Sequence, residues 1–108
     1  MKLVSSYLFF ETLATKLRVD IIDSLKRGPK SVADICNLVD EDQSKVSHSL
    51  KRLKDCHFLS MNQNGKQRIY SLNQETIAPL LKIVDKHVRK HCSAFCKNEE
   101  LKGVACRK

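Results

Sequence analysis

Apolar residues recur at helical spacing along most of this chain and switch to alternation over one short stretch. Tyr7, Leu8, Phe9, Phe10 and Leu13 crowd a first helix that Ser5 or Ser6 can cap, at a density beyond what one face of a small domain needs. Leu17, Ile21, Ile22 and Leu25 mark a second amphipathic helix. Gly28-Pro29 closes it, because glycine suits the position after a helix end and proline cannot continue one. Ser31 caps a short third helix with Val32, Ile35, Cys36 and Val39 inward, and the acidic link Asp40-Glu41-Asp42 turns the chain into a fourth.

The fourth helix has a narrow apolar stripe, Val46, Leu50 and Leu53 at i, i+4 and i+7. Asp42 caps its N-terminus, where a carboxylate accepts free backbone N–H groups and offsets the positive helix end. Gln43, Ser44, Lys45, Ser47, His48, Lys51 and Arg52 are left exposed. Hydroxyls and an amide come first and cations follow along the flank, the order that suits a helix entering a DNA major groove by its N-terminus. Leu59-Ser60-Met61-Asn62 and Gln67-Arg68-Ile69-Tyr70-Ser71-Leu72 then alternate, joined by Gln63-Asn64-Gly65-Lys66, and Asn-Gly is a strong hairpin signal. Asn73 can cap a long last helix carrying Ile77, Leu80, Leu81, Val84, Val88 and Phe95, with Pro79 tolerable in its first turns.

These elements predict a mainly α fold with a small β-hairpin wing, in the order ααααββα: a winged helix-turn-helix. The apolar excess of the first and last helices predicts a homodimer joined through them. Residues 1–96 are expected to form the DNA-binding and dimerisation domain, and residues 97–108 a flexible tail with Cys106 in it.

A formal charge of +8 over 108 residues favours an anionic partner, and with no long apolar run nucleic acid fits better than membrane. From Gln43 to Tyr70, six basic residues (Lys45, Lys51, Arg52, Lys54, Lys66 and Arg68) face the single acid Asp55, which points to phosphate contact. Leu3 to Phe10 is interrupted by Ser5 and Ser6 and stops at Glu11, so it reads as a packed helix of a cytoplasmic protein instead of a signal sequence. No Gly-rich phosphate loop, paired-carboxylate cluster or Ser/His/Asp arrangement argues for an enzyme.

Five cysteines without a secretion signal suggest free thiols, a metal site or a redox switch in place of a disulfide framework. Cys92 and Cys96 are i and i+4, so on a helix both sulfurs project from one face, within reach of one ion at Zn–S distances of about 2.3 Å. Cys106 can fold back across Gly103 as a third thiolate, with His91 or a residue of a second subunit as fourth ligand. Three thiolates select zinc, arsenite, another soft metal or an iron–sulfur cluster. Arg89, Lys90, Lys97, Lys102 and Arg107 would lower the thiol pKa values. The plainer alternative is that Cys92 packs as a small hydrophobe, which is also the expectation for the isolated Cys36 and Cys56. His57 reads as a surface or turn residue and His87 as interfacial.

Residues 8–92 resemble the ArsR/SmtB family of dimeric winged-helix metalloregulators. The stretch from Asp42 to Leu50 is similar to the family's Ser-Gln-Ser-x-Val-Ser-x-His-Leu recognition helix, with Ser49 in place of His, and Gly65 to Leu72 is similar to its wing, Gly-Arg-x-x-x-Tyr-x-Leu. Leu13 to Arg18 resembles the family's Leu-Ala-Asp-Pro-Thr-Arg more loosely. The resemblance implies a repressor that binds double-stranded DNA at an inverted-repeat operator. Of the three thiols in the family's arsenic-type Cys-Val-Cys-Asp-Leu-Cys run only the last, Cys36, is present, and of its zinc-type site Asp85-x-His87 is present while Asn98 and Leu101 stand in the second half. The expected function is therefore a DNA-binding regulator controlled by a soft metal or by thiol oxidation at the C-terminal cysteines. The alternative is a winged-helix module for protein or metal binding without inducer-controlled DNA binding.

Overall fold

The computed structural model describes the backbone of residues 2–95 and the side chains of residues 6–91. The chain divides into two units, residues 1–73 and 74–108. The first holds α1 (Lys2–Leu13), α2 (Lys16–Ser24), β1 (Lys30–Ser31), α3 (Val32–Val39), α4 (Gln43–Asp55), β2 (Leu59–Asn64) and β3 (Gln67–Leu72); the second holds α5 (Ile77–Phe95).

Three helix starts are fixed by side chains that satisfy orphan backbone donors. Thr15 accepts from the Arg18 N–H at 3.2 Å, Ser31 from Asp34 at 3.2 Å and Asp42 from Lys45 at 3.4 Å. Between α3 and α4 the chain reverses at Asp40, whose left-handed φ of 58° lets its N–H bond the Cys36 carbonyl at 2.9 Å. Aspartate is one of the few non-glycine residues that enters this region readily. The short helix and the capped helix are thus held together by local chemistry.

The apolar stripes then meet. Ile21, Ile22 and Leu25 at α2, Ile35 of α3, Val46, Leu50 and Leu53 of α4, and Phe58, Leu59, Tyr70 and Leu72 at the hairpin are all buried. Phe9 of α1 lies on Phe58 with ring centroids 4.9 Å apart. Each such side chain contributes about 1.5–3 kcal/mol when withdrawn from water, so this core is what fixes α4 against the hairpin. By contrast Tyr7 and Phe10 of α1 remain 64% and 65% exposed, as does Ile83 of α5 at 65%. No helix among the described residues is long and apolar enough to cross a membrane.

Several details depart from the sequence expectations. α1 is already helical at Lys2, so neither Ser5 nor Ser6 caps it. α2 ends at Ser24, and tighter turns carry the chain to Gly28, with Leu25, Lys26 and Gly28 donating back to Ile22, Asp23 and Leu25. The sheet has a strand beyond the expected hairpin. β1 pairs antiparallel with β3, Lys30 opposite Tyr70 and Ser31 opposite Ile69, giving a three-stranded sheet in the order β1-β3-β2. The hairpin corner is Gly65-Lys66 flanked by the pair Asn64–Gln67, with Gly65 at φ 65°. Glycine at the first central position is what a type II′ turn requires. Asn73 is not the cap residue of α5, because the helix begins later, at Ile77; its side-chain amide donates to the His57 carbonyl at 2.9 Å and its N–H to the Phe58 carbonyl at 3.0 Å. Pro79 is then the third residue of α5, where an N–H would lack an intrahelical partner in any case.

Candidate nucleic-acid interface

α4 and the hairpin present the site. Val46, Ser49, Leu50 and Leu53 face the core, and the seven α4 residues expected to meet a ligand, Gln43, Ser44, Lys45, Ser47, His48, Lys51 and Arg52, are all exposed. The wing is braced across its strands by the Ser60 and Ser71 hydroxyls, 3.0 Å apart. At its tip the Gln63 side-chain amide donates to the Gly65 carbonyl at 3.2 Å.

Between the start of α3, the exposed face of α4 and the wing runs a concave surface. One hollow, about 380 Å³, is lined by Gln43, Ser47, Gln63, Lys66 and Arg68 among others. A second, about 460 Å³, is lined by Ser47, His48, Lys51, Lys54, Met61 and Arg68 among others. Val32, Ser47, Gln63 and Arg68 line both, so the two adjoin. Four cations, Lys51, Lys54, Lys66 and Arg68, line them without a carboxylate. A basic concavity of this kind focuses field on an anion. Ser44, Lys45 and Arg52 lie on α4 outside it. Lys54, one of the six basic residues counted in the sequence but not among the residues expected on the exposed face of α4, lines the second hollow. Its spacing carries the signal, since Ser47, Lys51 and Lys54 stand at i, i+4 and i+7.

Two cations of α4 have carboxylate neighbours: Lys45 lies 3.7 Å from Glu41, and Lys51 bonds Asp55 at 3.0 Å. The Lys51 hydrogen bond is the main reason the Asp55 carboxyl is held below its usual range. Ion pairs this exposed are weak, so a phosphate can displace the carboxylate. Among the described residues Arg52, Lys66 and Arg68 have no ion-pair partner.

The thiols divide. Cys56, expected in the core, is exposed at the C-cap of α4, where the chain turns away, with its sulfur 3.9 Å from the Thr12 hydroxyl. Cys36 is half-buried. His57 is an exposed turn residue at φ 66°. His87 and His91 are exposed on α5 with ring centroids 4.8 Å apart. The Cys92 side chain, Cys96 and Cys106 lie outside the described residues, so the expected thiolate set is not placed.

Residues 15–60, from the cap of α2 to the start of β2, match a family described as bacterial regulatory protein, arsR family. Over 71 residues, 66% of the chain, it is 34% identical to the HTH-type transcriptional regulator NmtR of Mycobacterium tuberculosis, of whose length the match spans 59%. Over 73 residues, 67% of the chain, it is 34% identical to the arsenical resistance operon repressor of Bacillus subtilis, spanning 70% of that protein. In structure it is similar to the homodimeric winged helix-turn-helix DNA-binding domain Mb0332 of Mycobacterium bovis, with a TM-score of 0.73 and 24% identity over 78% of each chain. That likeness establishes the winged helix-turn-helix fold.

Proposed function

The chain belongs to the arsR family of bacterial regulatory proteins, and from that premise we propose that it is a cytoplasmic transcriptional repressor that binds an inverted-repeat operator in double-stranded DNA as a homodimer. The observation that carries this reading is the pair of adjoining hollows between α4 and the wing, lined by Lys51, Lys54, Lys66 and Arg68 and by no carboxylate. Gln43, Ser44, Ser47 and His48 meet base edges, while Lys45, Lys51, Arg52, Lys66 and Arg68, joined by Lys54, hold phosphates. Two protomers joined through α1 and α5, whose Tyr7, Phe10 and Ile83 are exposed, would offer recognition helices to successive major grooves about 34 Å apart.

Control is assigned to the end of α5 and the C-terminal residues beyond it. Cys92 and Cys96, with Cys106 and His91, bind a soft metal such as zinc or arsenite, or an iron–sulfur cluster, or undergo oxidation, and change the dimer packing. A coupling of about 1–3 kcal/mol is enough for a 5- to 150-fold change in DNA affinity. The resistance operon controlled by the Bacillus subtilis relative favours an ion of the arsenic class. The proposal is tested by titrating a fluorescent duplex with the protein, then adding arsenite or zinc under reducing conditions. Binding that is relieved by the ion supports repression with release; binding that no ion alters leaves the repressor and removes the metal control.

A further inference from the structure

The tip of the wing carries chemistry of its own. Asn64 is the last residue of β2 and is exposed, and no hydrogen bond holds its side chain among the described residues. Its neighbour differs: the Gln63 amide is tied to the Gly65 carbonyl. The backbone N–H of Gly65 likewise donates to nothing described, and the space where a Cβ would stand at Gly65 is empty to 4 Å. Lys66 and Arg68 follow within the same corner, and nearby cations favour the anionic form of a group that loses a proton. A side-chain amide and an unhindered backbone nitrogen next to it are what cyclisation needs, and the cations favour the deprotonated nitrogen that attacks.

We propose that Asn64-Gly65 is a site of spontaneous deamidation that places a carboxylate on the phosphate-facing wing. The Gly65 nitrogen gives up its proton to solvent base and bonds to Asn64 Cγ, while Nδ2 takes up a proton and leaves as ammonia. Water then opens the cyclic imide at either carbonyl. Opening at Cγ restores the backbone and leaves aspartate, whereas opening at the main-chain carbonyl leaves isoaspartate, with one extra methylene in the chain. No electrons are transferred, and water is the only co-reactant. The first product sets a negative charge beside Lys66 and Arg68; the second also breaks the Asn64–Gln67 pairing that sets the corner. Asn37, Asn62 and Asn73 precede Leu38, Gln63 and Gln74, whose side chains crowd the attacking nitrogen. The consequence for binding rests on the proposed DNA-binding function, but the chemistry does not.

The full chain is incubated at mildly alkaline pH and followed by peptide mapping with mass spectrometry, beside Asn64→Gln, whose longer amide cyclises far more slowly. Conversion is expected at Asn64 as two isomeric acid-containing peptides, with Asn62 and Asn73 unchanged. An Asn64 that stays intact while the same chain in urea converts would overturn the proposal, since the folded corner would then forbid attack. Aged and fresh protein are compared on a random-sequence duplex at low salt. Aged parent, but not aged Asn64→Gln, should bind more weakly, with a salt slope smaller by about one. Conversion with unchanged affinity would overturn the effect on the wing, whereas a fresh protein that binds no duplex refutes the DNA-binding function and leaves the mapping result to decide the chemistry.

Discussion

Lys51 and Asp55, one helical turn apart on α4, are joined by a 3.0 Å hydrogen bond at the edge of the basic concavity. The carboxylate occupies a cation that a phosphate would otherwise use, so the pair acts as a mild competitor to ligand binding. Asp55→Asn should therefore tighten binding to any duplex by no more than a few-fold at low salt, since an ion pair this exposed is weak. Fluorescence titration of a random duplex checks this, and weaker binding would contradict it.

The same pair sets a pH expectation. The Asp55 carboxyl is held below its ordinary value of 3.8, first by the Lys51 hydrogen bond. A lowered carboxyl pKa stabilises the fold above the unfolded value, and that contribution is lost only as pH falls through the folded one. Stability of the parent minus that of Asp55→Asn, from urea melts, should shrink as pH falls from about 5 through the ordinary carboxyl range and below it. A difference that does not shrink as pH falls from about 5 to about 2 would contradict the assignment.

The floor beneath the site is apolar and fully withdrawn from water at Val46, Leu50 and Leu53. Leu50→Ala should cost about 2–5 kcal/mol, through lost transfer energy and the cavity left behind. Urea denaturation followed by circular dichroism reads the loss, and a cost below about 1 kcal/mol, well under the usual range for such a truncation, would mean that α4 is not anchored by this stripe.

Much of this arrangement is legible in the sequence because it is encoded locally. The i, i+4, i+7 stripe of α4, the Asp42 cap and the alternation of the hairpin each need only a few neighbouring residues to be read. β1 is not legible: two residues are too short to show alternation, and Ser31 already has a sufficient role as the cap of α3. The start of α5 is misplaced by sequence because Asn73 is a good cap by type, yet residues 74–76 form a turn and the helix starts only at Ile77. Cys56 misleads for a related reason. It follows an apolar stripe in sequence, but as the C-cap of α4 it sits where the helix ends and the chain turns outward.

The sorting of contacts can be tested by substitution. Lys66→Ala or Arg68→Ala should weaken binding to all sequences alike and reduce the salt slope by about one each. Gln43→Ala or Ser47→Ala should instead cost about 1–3 kcal/mol of discrimination at particular base pairs, read by selection from a randomised duplex pool. Equal loss of base preference from both groups would contradict the division.

Replacing both Cys92 and Cys96 by serine should leave operator affinity intact and abolish any response to arsenite, zinc or oxidant. Anaerobic titration of the parent and the double variant against the same duplex separates the two outcomes. A variant that responds like its parent would place the control elsewhere in the chain.

Phosphate binding between α4 and the wing is tested most directly by the duplex affinity of the unmodified chain across a salt series. The account predicts that the logarithm of the association constant falls linearly with the logarithm of salt concentration, with a slope of about −0.9 for each phosphate neutralised. It also predicts a visibly shallower line when Lys51, Lys54, Lys66 and Arg68 are replaced together by alanine. Affinity that ignores salt, or a slope unchanged by the loss of all four cations, would contradict it.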